Sequence, residues 1–246
     1  MADRGSNARG GSELSLADAF SIANAVCGFF AVALLARGDL GSAGLKANDV
    51  LAAGGLLVAG ALFDILDGPV ARWRGSSAVG QTLDTLADVV TFAVAPAVLL
   101  AVAGVAEGGT DPRVLLTAGA AYLVAVLVRL ARFEAADSVE ARRSFSGMPC
   151  PLATVAVFAL VLLDPGAYGV AAGVALIVTL MLSSVPYPKA SRATAPLIAA
   201  WALGGAAALA GLLPLDLAAV VTVAVVLVIP VVMAARGRDA DVPRTA

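Results

Sequence analysis

Long apolar blocks separated by short polar segments run through most of the chain. A helix needs roughly 20 predominantly apolar residues to cross the hydrocarbon core of a bilayer. The pattern predicts eight such spans, at residues 16–36, 50–70, 82–105, 114–133, 149–164, 168–185, 195–213 and 215–235. Only residues 164–166 separate the fifth span from the sixth, so merging these two is the alternative. The pattern therefore predicts an all-α integral membrane protein, a polytopic bundle of about eight transmembrane helices.

The basic residues test this number of spans. With eight spans and both termini on one side, thirteen of the sixteen basic residues fall on that side, namely Arg4, Arg9, Arg72, Arg74, Arg129, Arg132, Arg142, Arg143, Lys189, Arg192, Arg236, Arg238 and Arg244. The other side receives Arg37, Lys46 and Arg113. By the positive-inside rule, this asymmetry favours eight spans and predicts that both termini are cytoplasmic. We expect the plasma membrane of the cell as the location.

The amino-acid composition agrees with a location in the bilayer and argues against one class of partner, nucleic acid. Of the 246 residues, 60% are hydrophobic and 14% charged, which is outside the usual balance of a water-soluble domain. The net charge of −2 and the scattered basic residues argue against nucleic acid as a partner. We expect one membrane domain, 14–236, between a disordered cytoplasmic tail, 1–13, and a polar cytoplasmic tail, 237–246. Cys27 and Cys150 lie in or beside apolar segments and are expected to be reduced and buried.

Four aspartates break the apolar pattern of the second and third spans. Asp64 and Asp67 are three residues apart and Asp84 and Asp88 four apart, so each pair shares one face of a helix. An acid at the centre of a span costs about 2.5 to 3.5 kcal/mol, so such residues usually mark a functional site. A short loop joins the two spans, and the two acidic faces are therefore predicted to form one site.

Four negative charges in a low dielectric need a cation. The chain has no histidine, so the ligands would be oxygen atoms, which suit Mg²⁺, Mn²⁺ or Ca²⁺ better than Zn²⁺. Gly68, Ala71 and Gly80 would let a bulky ligand approach the helices, and the guanidinium of Arg72 suits phosphate. Metal beside phosphate indicates phosphoryl chemistry.

Two alternatives compete with this interpretation. The acids would cap helices or pair with Arg72, Arg74 and Arg129 if their role were structural. They would form a cation-translocation pathway if the protein were a transporter, which predicts acids near the bilayer midplane and further charges in later spans.

The motif resembles that of the CDP-alcohol phosphatidyltransferase family, D-x-x-D-G-x-x-A-R and, after seven residues here, G-x-x-x-D-x-x-x-D. The fixed positions are filled by Asp64, Asp67, Gly68, Ala71, Arg72, Gly80, Asp84 and Asp88. The resemblance implies a membrane catalytic domain that transfers a lipid phosphate from a CDP-activated lipid to an alcohol and releases CMP. It also implies a homodimer.

The same resemblance implies a role for each motif residue. Asp64, Asp67 and Asp84, with help from Asp88, would hold two divalent ions, Mg²⁺ or Mn²⁺. The cytidine diphosphate moiety would be contacted by Gly68, Ala71, Arg72 and Gly80. Asp88 would also be the general base, and with no histidine in the chain a clustered aspartate is the best-placed group for that role.

Two further segments are similar to the phosphatidylserine synthases within this family. The matching positions are Asn24, then Arg129, Arg132 and Phe133, and then Phe145, Gly147, Pro149 and Pro151, with Glu134 where an Asn often follows the Phe. The resemblance implies L-serine as the acceptor. Candidate contacts with serine or with the lipid phosphate are Asn24, Arg129, Arg132, Arg142 and Arg143.

Other acceptors and lipids are compatible with the same residues. Glycerol 3-phosphate and inositol phosphate remain alternative acceptors, because a second phosphate would use the same arginines. Arg142 and Arg143 also fit a basic loop that only sets topology. CDP-diacylglycerol and CDP-archaeol are alternative lipid substrates, since an apolar groove accepts ester-linked and ether-linked chains alike.

Overall fold

The regular elements in the described part of the chain are helices. The computed structural model describes residues 14–37, 47–74, 77, 79–106, 112–135, 147–185, 187, 204–205, 207–209 and 211–240. The main helices are α1 (Leu16–Arg37), α2 (Ala47–Arg74), α3 (Gly80–Asp88), α4 (Ala95–Ala106), α5 (Arg113–Glu134), α6 (Cys150–Leu163), α7 (Ala167–Leu182) and α8 (Leu215–Ala240). A π-helical segment, Val89–Val94, joins α3 to α4 in one continuous span.

Four of these helical spans are long and apolar enough to cross a membrane. They are Leu16–Arg37, Asn48–Arg74, Gly80–Ala103 and Arg113–Glu134. Cys150–Leu163, Ala167–Leu182 and Leu215–Val228 are shorter apolar helices. The chain is a multi-pass membrane protein whose regular elements, over the residues described above, are all helices, and this confirms the predicted fold class.

The structure separates the fifth and sixth predicted spans. Asp164 ends α6 in the left-handed conformation, with φ 43°, and Gly166 precedes α7 with φ 77°. Most of the predicted seventh span, 195–213, lies outside the described residues, although 204–205 and 207–209 are helical. The predicted tail 1–13 and residues 241–246 also lie outside, whereas α8 continues to Ala240, past the predicted boundary at 236.

The first helix begins at a reciprocal pair of hydrogen bonds. The Ser15 backbone N–H donates to Asp18 Oδ2, and the Asp18 backbone N–H donates to Ser15 Oγ at 3.2 Å. This capping box satisfies donors that a helix start leaves without partners. It fixes where α1 enters the bundle, which matters because α1 packs against α2, α3 and the π-helical segment.

Two apolar clusters hold the helices together behind the aspartates. One includes Leu35 of α1, Leu57 of α2, Leu99 of α4 and Phe158 of α6. The other contains buried residues of the π-helical segment, α4, α5, α6, α7 and α8, with Tyr122 among its largest side chains. The aspartates lie at one end of this packed interior.

Candidate active site

The structure brings the acidic faces of α2 and α3 together. One carboxylate oxygen from each of Asp64, Asp84 and Asp88 lies within 4.8 Å of the other two. Asp67, one turn beyond Asp64, adjoins this group through a side-chain interaction with Asp84 and also accepts a hydrogen bond of 3.5 Å from Ser21 Oγ. We call the end of the bundle at which α1 and α3 begin and α2 and α5 finish the motif end.

The carboxylate cluster suits a hard divalent cation. The atoms that it offers as metal ligands are all carboxylate oxygens, and its three residues are partly buried. Within the described residues, Asp84 Oδ1 is buried and has no hydrogen-bond partner. Burying such an oxygen is unfavourable unless a proton or cation compensates for it. These residues therefore fit the divalent metal that the motif implies, with ligand chemistry suited to Mg²⁺ or Mn²⁺.

Helix α1 contacts both acidic helices through two polar side chains one turn apart. Ser21 reaches Asp67 on α2, and Asn24 Nδ2 donates to Asp88 Oδ1 on α3 at 3.1 Å. Asn24, predicted to contact the substrate, is 0% exposed and contacts the Asp88 carboxylate from within the helix bundle. Sequence reasoning missed Ser21, although its spacing of three residues from Asn24 puts both on one face of α1.

A close crossing of three elements supports Asn24 from behind. Thr91, in the π-helical segment, donates from Oγ1 to the Asn24 backbone oxygen at 2.8 Å. A Cβ added to Gly28 would lie 2.7 Å from Thr91 Cα, and one added to Gly60 would lie 2.9 Å from Asn24 Oδ1. Only glycine lets α1 approach the π-helical segment at Gly28, and α2 approach both that segment and α1 at Gly60, so closely. The π-helical turn, a feature frequent at functional sites, begins directly after Asp88.

The remaining motif residues lie on the same two helices. A Cβ added to Gly68 would meet Arg72 Nη1 at 3.3 Å, so the exposed guanidinium folds back over the helix at this glycine. Ala71 is partly buried, and Gly80 is buried at the first position of α3. Small residues and a permanently charged fork thus lie together at the motif end, where they are available to a phosphate group.

Of the four arginines predicted to contact serine or the lipid phosphate, the structure describes two, both on α5. Arg129 hydrogen-bonds with the Cys150 thiol at the start of α6, and the same thiol is close enough to Asp64 and Asp88 to interact with their charges. Arg132 is exposed in the last turn of α5. Arg142 and Arg143 lie outside the described residues. Cys27 and Cys150 are free and buried, as predicted.

The segment before α6 is held against α7. The Gly147 N–H donates to the Val185 oxygen at 2.7 Å, and the Met148 N–H to the Leu180 oxygen at 3.1 Å. Gly147 has φ 96°, a conformation that favours glycine. Pro149 caps α6, so this proline-rich element positions Cys150 beside Arg129.

Sequence reasoning also missed a polar connection between α5 and α3. Glu134 accepts hydrogen bonds from Gln81 Nε2 at 2.7 Å and from Thr85 Oγ1 at 2.6 Å. Gln81 and Thr85 are four residues apart and so share a face of α3. That spacing was visible in the sequence, but nothing in it pointed to Glu134 as the shared acceptor.

Comparison with known proteins agrees with this site. The CDP-alcohol phosphatidyltransferase family matches residues 14–185. An archaetidylserine synthase of Methanothermobacter thermautotrophicus is 32% identical over 183 residues, which are 72% of this chain and 71% of that protein.

Two bacterial CDP-diacylglycerol–serine O-phosphatidyltransferases are similar over shorter stretches. The Helicobacter pylori protein is 35% identical over 144 residues, 54% of this chain and 59% of that protein. The Mycobacterium leprae protein is 42% identical over 114 residues, 44% of this chain and 37% of that protein. The match to the family covers more than half of the chain and includes every motif residue. The chain therefore belongs to the CDP-alcohol phosphatidyltransferase family.

Proposed function

We propose that this protein is a phospholipid-biosynthetic enzyme that transfers a phosphatidyl-type group from a CDP-activated lipid to the hydroxyl of L-serine and releases CMP. The observation that carries the proposal is the convergence of Asp64, Asp84 and Asp88 within the family's motif. Serine as the acceptor is supported by the names of the relatives from three organisms.

The four motif aspartates are proposed to hold two divalent ions, Mg²⁺ or Mn²⁺. Asp64, Asp84 and Asp88 offer adjacent oxygen atoms, and Asp67 adjoins them. Bound metal would neutralise charge on the diphosphate and make the acceptor hydroxyl easier to deprotonate. The family is generally metal-dependent, in agreement with this ligand set.

In the proposed reaction, the acceptor hydroxyl attacks the lipid-side phosphorus. Asp88 accepts the hydroxyl proton, the new phosphorus–oxygen bond forms, and the bond to the bridging oxygen breaks as CMP leaves with the electron pair. The hydrogen bond from Asn24 to Asp88 Oδ1 fixes the orientation of the Asp88 carboxylate, which keeps further acceptor positions for the proton. Arg72 binds the diphosphate, and Gly68, Ala71 and Gly80 leave space for the cytidine diphosphate moiety.

Arginines are proposed to bind the serine carboxylate. Arg132 is exposed at the motif end and is the first candidate, whereas Arg129 lies deeper, beside Cys150. Arg142 and Arg143 stay predictions because they lie outside the described residues. Lipid chains would lie against the apolar helices, and serine would enter from the cytoplasm, the side to which the charge asymmetry assigns both termini.

We also propose that the protein is a homodimer and that it lies in the plasma membrane.

The test is CMP release by the purified protein with CDP-diacylglycerol or CDP-archaeol and Mg²⁺ or Mn²⁺. Parallel reactions contain L-serine, glycerol 3-phosphate, inositol phosphate or no acceptor, and Asp88→Asn is the matched variant. We expect release that depends on serine and metal and is lost in the variant. CMP release only with a phosphorylated alcohol would overturn the assignment of serine as the acceptor. No CMP release with any alcohol would overturn the proposed reaction.

A further inference from the structure

Glu134 is a carboxylate with a fixed orientation beside the cluster. Gln81 donates to one of its oxygens and Thr85 to the other. Both donors are neutral, so they orient the carboxylate without neutralising its charge. Each carboxylate oxygen has two acceptor positions, and one hydrogen bond on each leaves capacity for a further donor.

Glu134 lies beside the carboxylate cluster but is not part of it, a position that suits contact with the acceptor better than metal binding. It is close enough to Asp84 for the two charges to interact, yet it is outside the group formed by Asp64, Asp84 and Asp88. It is partly exposed at the end of α5, two residues after the exposed Arg132. The last turn of α5 therefore presents both signs of charge at the motif end.

We infer that Glu134 is a specificity-determining residue that binds the ammonium group of the acceptor, an inference that rests on the proposed function. In serine only two carbon atoms separate the hydroxyl oxygen from the nitrogen. When the hydroxyl lies at the carboxylate cluster, the ammonium lies in its immediate surroundings. There Glu134 is an acid beside Asp84 that is not one of the four motif aspartates. The same charge repels a phosphorylated alcohol, so Glu134 favours an amino acid over glycerol 3-phosphate.

The experiment compares two acceptors that differ in the ammonium group, L-serine and 3-hydroxypropanoate. Glu134→Gln keeps the size and hydrogen-bonding capacity of the side chain and removes its charge. We expect the KM for serine to rise about tenfold, as loss of one charge-assisted hydrogen bond predicts, while kcat changes little. The kcat/KM for 3-hydroxypropanoate should stay constant or rise, and Glu134→Asp should restore part of the preference for serine.

Thr85→Val is the matched control, because it removes one hydrogen bond to Glu134 and keeps the charge. The preference for serine over 3-hydroxypropanoate should survive in this variant. An equal fall of kcat with both acceptors in Glu134→Gln, or an equal loss of preference in Thr85→Val, would show a structural role and overturn the inference. Serine-dependent CMP release by the unaltered protein tests the proposed function separately, so the two failures are distinguishable.

Discussion

Helices meet through polar side chains at the motif end and through small and apolar side chains in the interior. At the motif end, Ser21 contacts Asp67, Asn24 contacts Asp88, and Thr85 contacts Glu134. In the interior, Gly54 faces the ring of Phe158, and a Cβ added to Gly119 would lie 2.8 Å from the Ala97 carbonyl oxygen. One region is organised by hydrogen bonds and the other by close packing.

The two kinds of contact are expected to contribute differently to stability and activity. Interhelical hydrogen bonds in a membrane protein contribute only about 0.6 kcal/mol on average. Close packing is less tolerant, and an extra methyl group in a well-packed core costs about 1–3 kcal/mol. We therefore expect changes at the motif end to reduce activity more than stability, and changes in the interior to do the reverse.

The largest effect is expected for Asp84→Asn. Loss of one metal-ligating carboxylate should reduce CMP release about 1,000-fold, since metal stabilisation of the transition state amounts to several kcal/mol. Without metal, the variant should be at least as stable as the unaltered protein, because it lacks one of several like charges. The measurements are CMP release and thermal unfolding in detergent, with Mn²⁺ and with a chelator.

Mn²⁺ should stabilise the unaltered protein in these measurements, by about 2.7 kcal/mol at a hundred times its dissociation constant. Asp84→Asn should lose this stabilisation. Asp216→Asn is the control, because Asp216 is an exposed acid in the first turn of α8 and is outside the carboxylate cluster. An Asp84→Asn protein that still gains full stability from Mn²⁺ would remove Asp84 from the ligand set.

Much of this comparison was predictable from local sequence properties. A long apolar run predicts a span, and the cost of an acid within a span marks Asp64, Asp67, Asp84 and Asp88 wherever the helices lie. Spacings of three and four residues place each pair on one face, and the short loop between the spans brings the faces together.

What the sequence did not predict depends on how helices cross. Ser21 reaches Asp67 because α1 runs close to α2 and to the π-helical segment, which requires the absence of side chains at Gly28 and Gly60. These two glycines are not distinguishable by pattern from the many others in the chain. The partners of Glu134 likewise depend on where α5 ends relative to α3.

The second effect is expected in the interior, for Gly119→Ala. The added methyl group would meet a backbone oxygen that cannot move aside as a side-chain tip can, and we expect a loss of about 1–3 kcal/mol in the free energy of unfolding. The protein that remains folded should have an unchanged kcat. The measurements are thermal inactivation in detergent and kcat per folded molecule.

Gly55→Ala is the matched substitution for Gly119→Ala. A Cβ at Gly55 has Leu209 Cδ1 at 3.9 Å as its near neighbour, an ordinary contact. This variant should be neutral or gain up to about 1 kcal/mol from the better helix propensity of alanine. Equal stability of the two variants would contradict the view that close packing limits the interior.

A third and smaller effect is expected at the motif end, for Asn24→Ala. Asp88 would lose the hydrogen bond that orients it, and we expect kcat to fall about tenfold, as for one hydrogen bond to a charged group. The free energy of unfolding should fall by only about 0.6 kcal/mol. Ser21→Ala, which removes a hydrogen bond of 3.5 Å, should reduce kcat less. A large loss of stability with unchanged kcat would assign Asn24 to the packed interior.

The smallest effect is expected for Thr154→Val, a polar contact placed within the interior. Thr154 Oγ1 lies 3.1 Å from the Tyr122 hydroxyl and donates to the Phe92 oxygen of the π-helical segment at 3.4 Å. Valine has nearly the same shape, so only the hydrogen bonds are lost, and stability should fall by about 0.6 kcal/mol. Thr179→Val, on the exposed side of α7, is the control for the hydroxyl itself. Thr154 supports the π-helical segment that follows Asp88, the proposed general base. A fall in kcat would therefore show that the packed interior also positions Asp88. Activity would then depend on interior contacts as far as Phe92 and not only on contacts at the motif end.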